Sequence, residues 1–217
     1  GNEAAFRAAC GAGHVAVVAV LLELVWDRRI DVHAGDEAAF CAACAGGHEA
    51  VVRRLLDLDG DRRVDIHSRQ KAAFTAACQG GHIPVVMLLL GLDPEVAIDG
   101  NPVHLTDVDA AFFAACGGGH VGVVEVLLRL EGAQRVDVHA GNEAAFHNAC
   151  GMGHAGVVEG LLRLEGDRRI NVHAQNELAF REACKMGHVA VVALLLGLEG
   201  DRRVDVHAVD EAFQAAC

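Results

Sequence analysis

The sequence predicts an all-α protein, a helix-turn-helix solenoid of six full repeats and a partial seventh. Three observations indicate this fold class. One segment of about 34 residues recurs along the 217-residue chain, each copy has two stretches of helical spacing, and a glycine-containing turn separates the two stretches. A fixed period in this range is typical of repeat arrays, in which each copy buries its apolar face against its neighbours.

A Gly-His dipeptide marks every copy. Successive histidines of this dipeptide, here called the turn histidines, are 34, 34, 38, 34 and 34 residues apart: His14, His48, His82, His120, His154 and His188. This spacing divides a predicted single domain, 1–217, into repeats 1 to 6 at 1–34, 35–68, 69–106, 107–140, 141–174 and 175–208, followed by a partial repeat at 209–217. One such repeat cannot bury its apolar face alone, so stability is shared between neighbours.

Repeat 5 shows how the first helix is predicted. Asn142 is placed to cap this helix, and Glu143 puts a negative charge in its first turn. Small and aromatic residues then follow at helical spacing: Ala145, Phe146, Ala149 and Cys150. They form a narrow face that lets the neighbouring repeat approach closely.

The rest of repeat 5 predicts a turn, a second helix and a loop. The glycines at 151 and 153 end the first helix, since glycine readily takes the positive φ of a tight reversal. An apolar stripe predicts the second helix from 155 to 164. The Asp-Arg-Arg sequence at 167–169 predicts a solvated loop with ion pairs along one edge, and 170–174 alternates like a short extended segment.

The motif Gly-His-x-x-Val-Val-x-x-Leu-Leu, followed by Val-Asp-Val-His-Ala, resembles the ankyrin repeat, whose helix pairs end in a Gly-Ala-Asp-Val-Asn-Ala loop. The resemblance covers essentially the whole chain. The family's Thr-Pro-Leu-His opening is replaced here, and the loops differ in length, which is similar to divergent short-hairpin ankyrin arrays. A tetratricopeptide array has the same period, but its signature Trp and Tyr positions are missing. The resemblance implies a non-enzymatic scaffold for protein–protein interaction.

Charge and hydropathy limit the classes of partner. The net charge of −12 argues against nucleic acid, whose phosphates require a clustered positive surface, and favours a protein partner with a neutral or basic surface. No apolar run reaches the 18 residues of a membrane span. Both ends of the array are expected to be apolar, which predicts a longer array or end-to-end packing in a larger complex.

Six cysteines occupy one position of successive repeats: Cys10, Cys44, Cys78, Cys116, Cys150 and Cys184. Stacked equivalents lie too far apart for disulfides, so we expect small buried side chains. Unpaired thiols predict a reducing compartment such as the cytoplasm, while a first residue other than Met is compatible with a removed targeting segment.

Histidines form a second ladder in the loops, here called the loop histidines: His33, His67, His104, His139, His173 and His207. The ankyrin resemblance implies structural roles for both ladders: the turn histidines stabilise the turn, and the loop histidines replace an Asn that hydrogen-bonds between neighbouring loops. No metal, cofactor or enzyme activity is predicted, because no catalytic triad, phosphate loop or spaced carboxylate pair is present. The alternative function is a metal- or redox-responsive protein that uses two Cys/His trios, at 41, 44 and 48 and at 147, 150 and 154.

Positions that differ among the repeats are candidates for partner binding, because residues required for stacking must recur in every repeat. Seven residues are predicted to contact a partner: Trp26, Phe113, His147, Met152, Arg181, Lys185 and Met186. All except Trp26 lie on first helices or turns of repeats 4 to 6, which border the concave surface in ankyrin arrays. Trp26 replaces a loop glycine and is a typical interface anchor. The enlarged loop at 93–104 is a further candidate contact.

Overall fold

The computed structural model describes residues 2–24, 28–64, 70–91 and 108–207. In these residues the chain forms twelve α-helices in six pairs and no β-strand, which confirms the predicted all-α repeat solenoid. Trp26, the loop at 93–104 and the partial repeat at 209–217 lie outside the described residues. Contacts divide the chain into an N-terminal unit, Gly1–Ala111, and a C-terminal unit, Phe112–Cys217.

The N-terminal unit contains three complete helix pairs. They are α1 (Asn2–Gly11) with α2 (Val15–Leu22), α3 (Ala34–Ala45) with α4 (Glu49–Leu56), and α5 (Gln70–Gln79) with α6 (Ile83–Leu89). The first helices pack in the order α1, α3, α5, and the second helices pack in the order α2, α4, α6. Each pair therefore contacts its sequence neighbour through both helices.

The C-terminal unit repeats this arrangement. Its helices are α7 (Val108–Gly117), whose first four residues belong to the N-terminal unit, α8 (Val121–Leu128), α9 (Ala140–Gly151), α10 (Ala155–Leu162), α11 (Ala174–Lys185) and α12 (Val189–Leu196). Within this unit α9 packs against α11, and α10 packs between α8 and α12. Single 3₁₀ turns follow the second helices at Gly132–Gln134, Gly166–Arg168 and Gly200–Arg202.

The core of each pair is built from the recurring apolar positions. In repeat 5, Phe146 of α9 and Val158 and Leu161 of α10 are fully buried. Burying one such side chain contributes about 1.5–3 kcal/mol. The predicted burial of the cysteine ladder is confirmed at five positions, whereas Cys184 is exposed. Cys184 lies on α11, the last described first helix, and no described helix packs on the side of α11 away from α9.

The structure corrects three details predicted for repeat 5. Asn142 is not the N-cap, because α9 begins at Ala140 and Asn142 lies inside it with a φ of 59°. The second helix, α10, ends at Leu162, two residues before the predicted end, and the 170–174 segment contains no strand. Instead, α11 already begins at Ala174, so the loop between repeats is short.

Candidate functional site

The turn histidines join neighbouring repeats. His48 Nε2 donates a hydrogen bond to the Gly11 carbonyl of the preceding turn at 2.9 Å. The same bond recurs three times, in His82 to Ala45, His154 to Gly117 and His188 to Gly151, at 2.8–2.9 Å. These rings therefore stabilise the contact between two turns, in addition to the turn in which they lie.

The glycine of each Gly-His dipeptide makes room for the next turn histidine. Gly13 has a φ of 72°, and a Cβ atom at this position would collide with the ring of His48. Gly153 has a φ of 77° and is covered in the same way by His188. Each dipeptide thus takes part in two contacts: Gly47 receives the ring of His82 from the following repeat, and His48 places its ring against Gly13 of the preceding repeat.

The loop histidines contact the following repeat through both ring nitrogens. His173 Nε2 donates to the Asp201 carbonyl at 2.8 Å, and His173 Nδ1 lies 2.6 Å from Glu177 Oε1. The same pair of contacts occurs at His33, with Asp61 and Glu37, and at His139, with Asp167 and Glu143. The implied bond between neighbouring loops is therefore present at these three junctions.

Each of these glutamates lies in a left-handed turn at the start of a first helix. Three consecutive residues have positive φ in α3, α9 and α11, ending at Glu37, Glu143 and Glu177 with φ of 61°, 67° and 57°. The three glutamates are buried, with 3–4% of their surface exposed. Sequence reasoning missed their role, although each lies four residues after a loop histidine, a spacing that brings side chains together on a helix.

The two arginines of Asp-Arg-Arg have different roles. The first caps the second helix of the preceding repeat: Arg168 Nη1 donates to the Leu128 carbonyl at the end of α8, and Arg62 and Arg202 make the same bond to Leu22 and Leu162 at 2.9 Å. A cation is favourable there because the last carbonyls of a helix carry partial negative charge. Partial burial lowers the pKa of Arg168 and Arg202.

The second arginine forms the predicted exposed ion pair with the next loop. Arg169 binds both carboxylate oxygens of Asp201, at 2.7 and 2.8 Å. Arg29 pairs with Asp61, and Arg135, at the equivalent position of repeat 4, pairs with Asp167. The hydrogen bond from Arg169 holds the pKa of the Asp201 carboxyl below its ordinary value.

Three of the predicted partner-binding residues are exposed apolar side chains of the C-terminal unit. Phe113 on α7 is 44% exposed, and Met152 and Met186, directly after α9 and α11, are 58% and 56% exposed. Lys185 is exposed and lies 3.5 Å from Glu182, while Arg181 is half-buried. These five residues, Phe113, Met152, Arg181, Lys185 and Met186, are called the first-helix surface below.

His147 is buried and adds little to this surface. It is 8% exposed, and burial lowers its pKa. Its Nδ1 lies 3.5 Å from the side-chain amide of Gln175, while its Nε2 has no hydrogen-bond partner among the described residues. The sequence could not distinguish His147 from Phe113 or Arg181, because all three occupy the same variable position of the repeat.

The described residues contain no group of three His, Cys, Asp or Glu side chains that could hold a metal ion. In the two trios, burial raises the pKa of the Cys44 thiol, and raises that of Cys150 to about 12. Their turn histidines, His48 and His154, use Nε2 to bind main-chain carbonyls. Across the described helices, none is long and apolar enough to cross a membrane.

Comparison with known proteins agrees with the geometry. Residues 5–99 match the family model described as ankyrin repeats (3 copies). No curated protein matches the chain. The matched residues lie in the N-terminal unit, and the C-terminal unit has the same helix pairs, Gly-His turns and His–Glu junctions. Over residues 5–99 the chain is therefore similar to the ankyrin-repeat family.

Proposed function

We propose that this protein is a non-enzymatic scaffold that binds a protein partner through the first-helix surface of its C-terminal unit. Ankyrin repeats mediate protein–protein interactions. Their architecture fixes a surface and leaves the choice of partner to the side chains on it. The search for the binding site is therefore a search for exposed side chains that differ between repeats.

The observation that carries this proposal is the exposure of Phe113, Met152 and Met186. Each is a large apolar residue that is about half exposed. Phe113 occupies one position of the repeat, and Met152 and Met186 occupy another. In the N-terminal unit these positions carry smaller or polar residues: Arg7, Cys41 and Thr75 at the first, and Ala12, Gly46 and Gly80 at the second. Stacking does not require these apolar residues, because the N-terminal unit forms the same helix pairs without them.

The side chains of the first-helix surface suit an apolar segment of a partner. Methionine is flexible and polarisable, and it adapts to irregular apolar surfaces. Arg181 and Lys185 on α11 add positively charged groups to this surface, and Lys185 lies 3.5 Å from Glu182. The net charge of −12 favours a partner whose surface is neutral or basic overall, since like charges slow association and reduce affinity.

Two features support a binding role without catalysis. Seven histidines of the two ladders have ring nitrogens bonded across repeat junctions, where they are not available to a substrate. The five buried thiols are held in their unreactive protonated form by raised pKa values. These buried thiols are also compatible with the proposed reducing compartment.

Affinity capture from the native source with the full chain tests the proposal, with partners identified by mass spectrometry. The test variant is Phe113→Ala/Arg181→Ala/Met186→Ala. The matched control is Val20→Ala/Met87→Ala, which removes exposed apolar side chains from the second helices α2 and α6. We expect a partner that the wild type and the control retain and that the test variant loses. A partner retained equally by all three proteins would contradict the proposed surface and direct attention to Trp26 and the 93–104 loop.

A further inference from the structure

The three His–Glu junctions have a property that follows from their geometry alone. At each junction both ring nitrogens of a loop histidine lie within hydrogen-bonding distance of an oxygen. The Nδ1 atoms are 2.6–2.8 Å from a glutamate Oε1, and the Nε2 atoms are 2.8–3.0 Å from a main-chain carbonyl. A carbonyl oxygen can only accept, so Nε2 must carry a proton.

The contact at Nδ1 then requires a second proton. A neutral ring with its proton on Nε2 would direct the Nδ1 lone pair at a carboxylate oxygen less than 3 Å away, which is repulsive. Two arrangements remove this repulsion: an imidazolium beside a carboxylate, or a neutral ring beside a protonated carboxyl group. Both contain the same number of protons, so each junction holds one proton more than neutral histidine and ionised glutamate would hold.

The burial of the glutamates makes this proton important. Glu143 Oε1 also accepts the main-chain N–H of Asn171 at 3.0 Å, and Glu177 Oε1 accepts that of Asp205 at 3.3 Å. The second oxygen, Oε2, of both Glu143 and Glu177 has no partner in the described part of the chain. A buried carboxylate without a neighbouring positive charge is costly and tends either to bind a proton or to move to solvent.

The backbone at these glutamates is held in an unfavourable conformation. Left-handed helical φ and ψ are disfavoured for side-chain-bearing residues, and Asp36-Glu37, Asn142-Glu143 and Gln175-Asn176-Glu177 all have them. Strained conformations persist only when surrounding contacts hold them. At Glu143 and Glu177, the side chain contacts the histidine ring and the loop N–H, and these contacts hold the turn.

We propose that each His–Glu pair is a proton-dependent clasp, which closes the junction between two repeats when the shared proton is present and opens the left-handed turn when it is lost. The right-handed part of each first helix starts directly after this turn. Opening at Glu143 or Glu177 would therefore loosen α9 or α11, the helices that Met152 and Met186 directly follow. The clasp goes beyond the proposed function, because it would act whatever the partner is.

The charged groups around the rings favour retention of the proton. Besides its glutamate, His33 faces Asp31, His139 faces Asp137, and His173 faces Asp201. Glu143 also faces the ring of His147 on its own helix. The pKa of His33 and His173 is raised first by the bond to glutamate and then by the carbonyl, and that of His139 is raised first by the carbonyl.

The sign of the pH dependence follows from these directions. The folded-state pKa of a loop histidine lies above its unfolded value of about 6.5. The stabilisation is therefore complete below that unfolded value and is lost as pH rises through the folded pKa. The clasps are therefore closed below the unfolded value of about 6.5 and open as the pH rises through the raised folded-state pKa.

Amide hydrogen exchange of the full chain between pH 6 and 9, corrected for the intrinsic exchange rate, tests the proposal. The reporters are the N–H groups of Asn171 and Asp205, which bind the clasp glutamates. The control is the N–H of His14, which bonds to the Ala9 carbonyl of α1, a helix outside the three His–Glu junctions. We expect protection of the two reporters to fall about tenfold per pH unit above the histidine pKa, since one proton is lost per junction. The control should change less.

Glu143→Gln/Glu177→Gln supplies the second arm. A glutamine amide can donate to or accept from the ring without a shared proton, so the pH dependence of the reporters should disappear in this variant. Corrected protection that stays constant between pH 6 and 9 in the wild type would overturn the proposal, even if the variant did not fold. The same pH dependence in the folded variant would also overturn it. Neither outcome depends on partner binding, so the proposed function is tested separately.

Discussion

Most described repeats have one histidine in the turn between their helices and one in the loop after them, and the two rings contact a neighbouring repeat differently. His188 has one hydrogen-bonded ring nitrogen among the described residues, whereas both ring nitrogens of His173 face oxygens. A neutral ring satisfies the first contact, but the second requires an additional proton. One residue type can therefore form a contact that needs one ring proton or a contact that needs a second, shared proton, depending on how many acceptors face it.

The largest loss of unfolding free energy is expected when a turn-histidine contact is broken. Gly153→Ala should cost about 2–4 kcal/mol of unfolding free energy, because alanine disfavours the φ of 77° and its Cβ would displace the His188 ring and its hydrogen bond. Urea unfolding followed by circular dichroism measures the change.

Gly187→Ala is the matched control. Gly187 has nearly the same φ, 76°, but a Cβ there would meet no atom of the described residues within 4 Å. Only the backbone penalty of about 1–2 kcal/mol is expected. Equal losses for the two variants would mean that the histidine contact adds nothing to stability.

A smaller loss of unfolding free energy is expected when the arginine that caps a second helix is replaced. Arg168→Met keeps most of the apolar length of the side chain but removes the donor to the Leu128 carbonyl, and should cost about 1–2 kcal/mol. The matched control is Arg169→Met, the adjacent arginine in an exposed ion pair. A larger loss for Arg169→Met than for Arg168→Met, again in urea unfolding, would reverse the roles assigned to the two arginines.

The smallest effect is expected at the exposed ion pairs of the same loops. Asp201→Asn removes the charge that binds Arg169 but keeps the main-chain carbonyl that accepts from His173. We expect no change in the unfolding midpoint beyond measurement error at 0.15 M salt, because exposed pairs are screened. Any contribution should vanish below the folded pKa of Asp201, which is lowered, as the carboxylate gains a proton. A clear loss at neutral pH would show that this pair stabilises the junction.

The features that the sequence predicted are those that recur in every repeat. Helix pairing, turn glycines and cysteine burial follow from local spacing, so six copies support the same interpretation. The exposure of Cys184 was not predictable in this way, because it depends on what packs beyond α11 and the residue type is unchanged.

The junction contacts were harder to predict because they depend on conformation. Asn142-Glu143 has the composition of a helix N-terminus, yet both residues take left-handed angles and the glutamate is buried. Arg168 and Arg169 are identical residues in adjacent positions, and only the direction of each side chain separates a helix cap from an ion pair. For the first-helix surface, the sequence identified variable positions but could not show that His147 is buried while Phe113 is exposed.

The central claim is that the two histidine ladders differ in proton content, and ¹⁵N NMR of the histidine rings in the full chain at pH 7 tests it most directly. The account predicts that His33, His139 and His173 share a second proton with their glutamates, seen as a protonated or strongly hydrogen-bonded Nδ1. His48, His154 and His188, which face a carbonyl oxygen through Nε2, should show no proton shared with a carboxylate at Nδ1. Loop histidines with a bare Nδ1, indistinguishable from the turn histidines, would contradict the account.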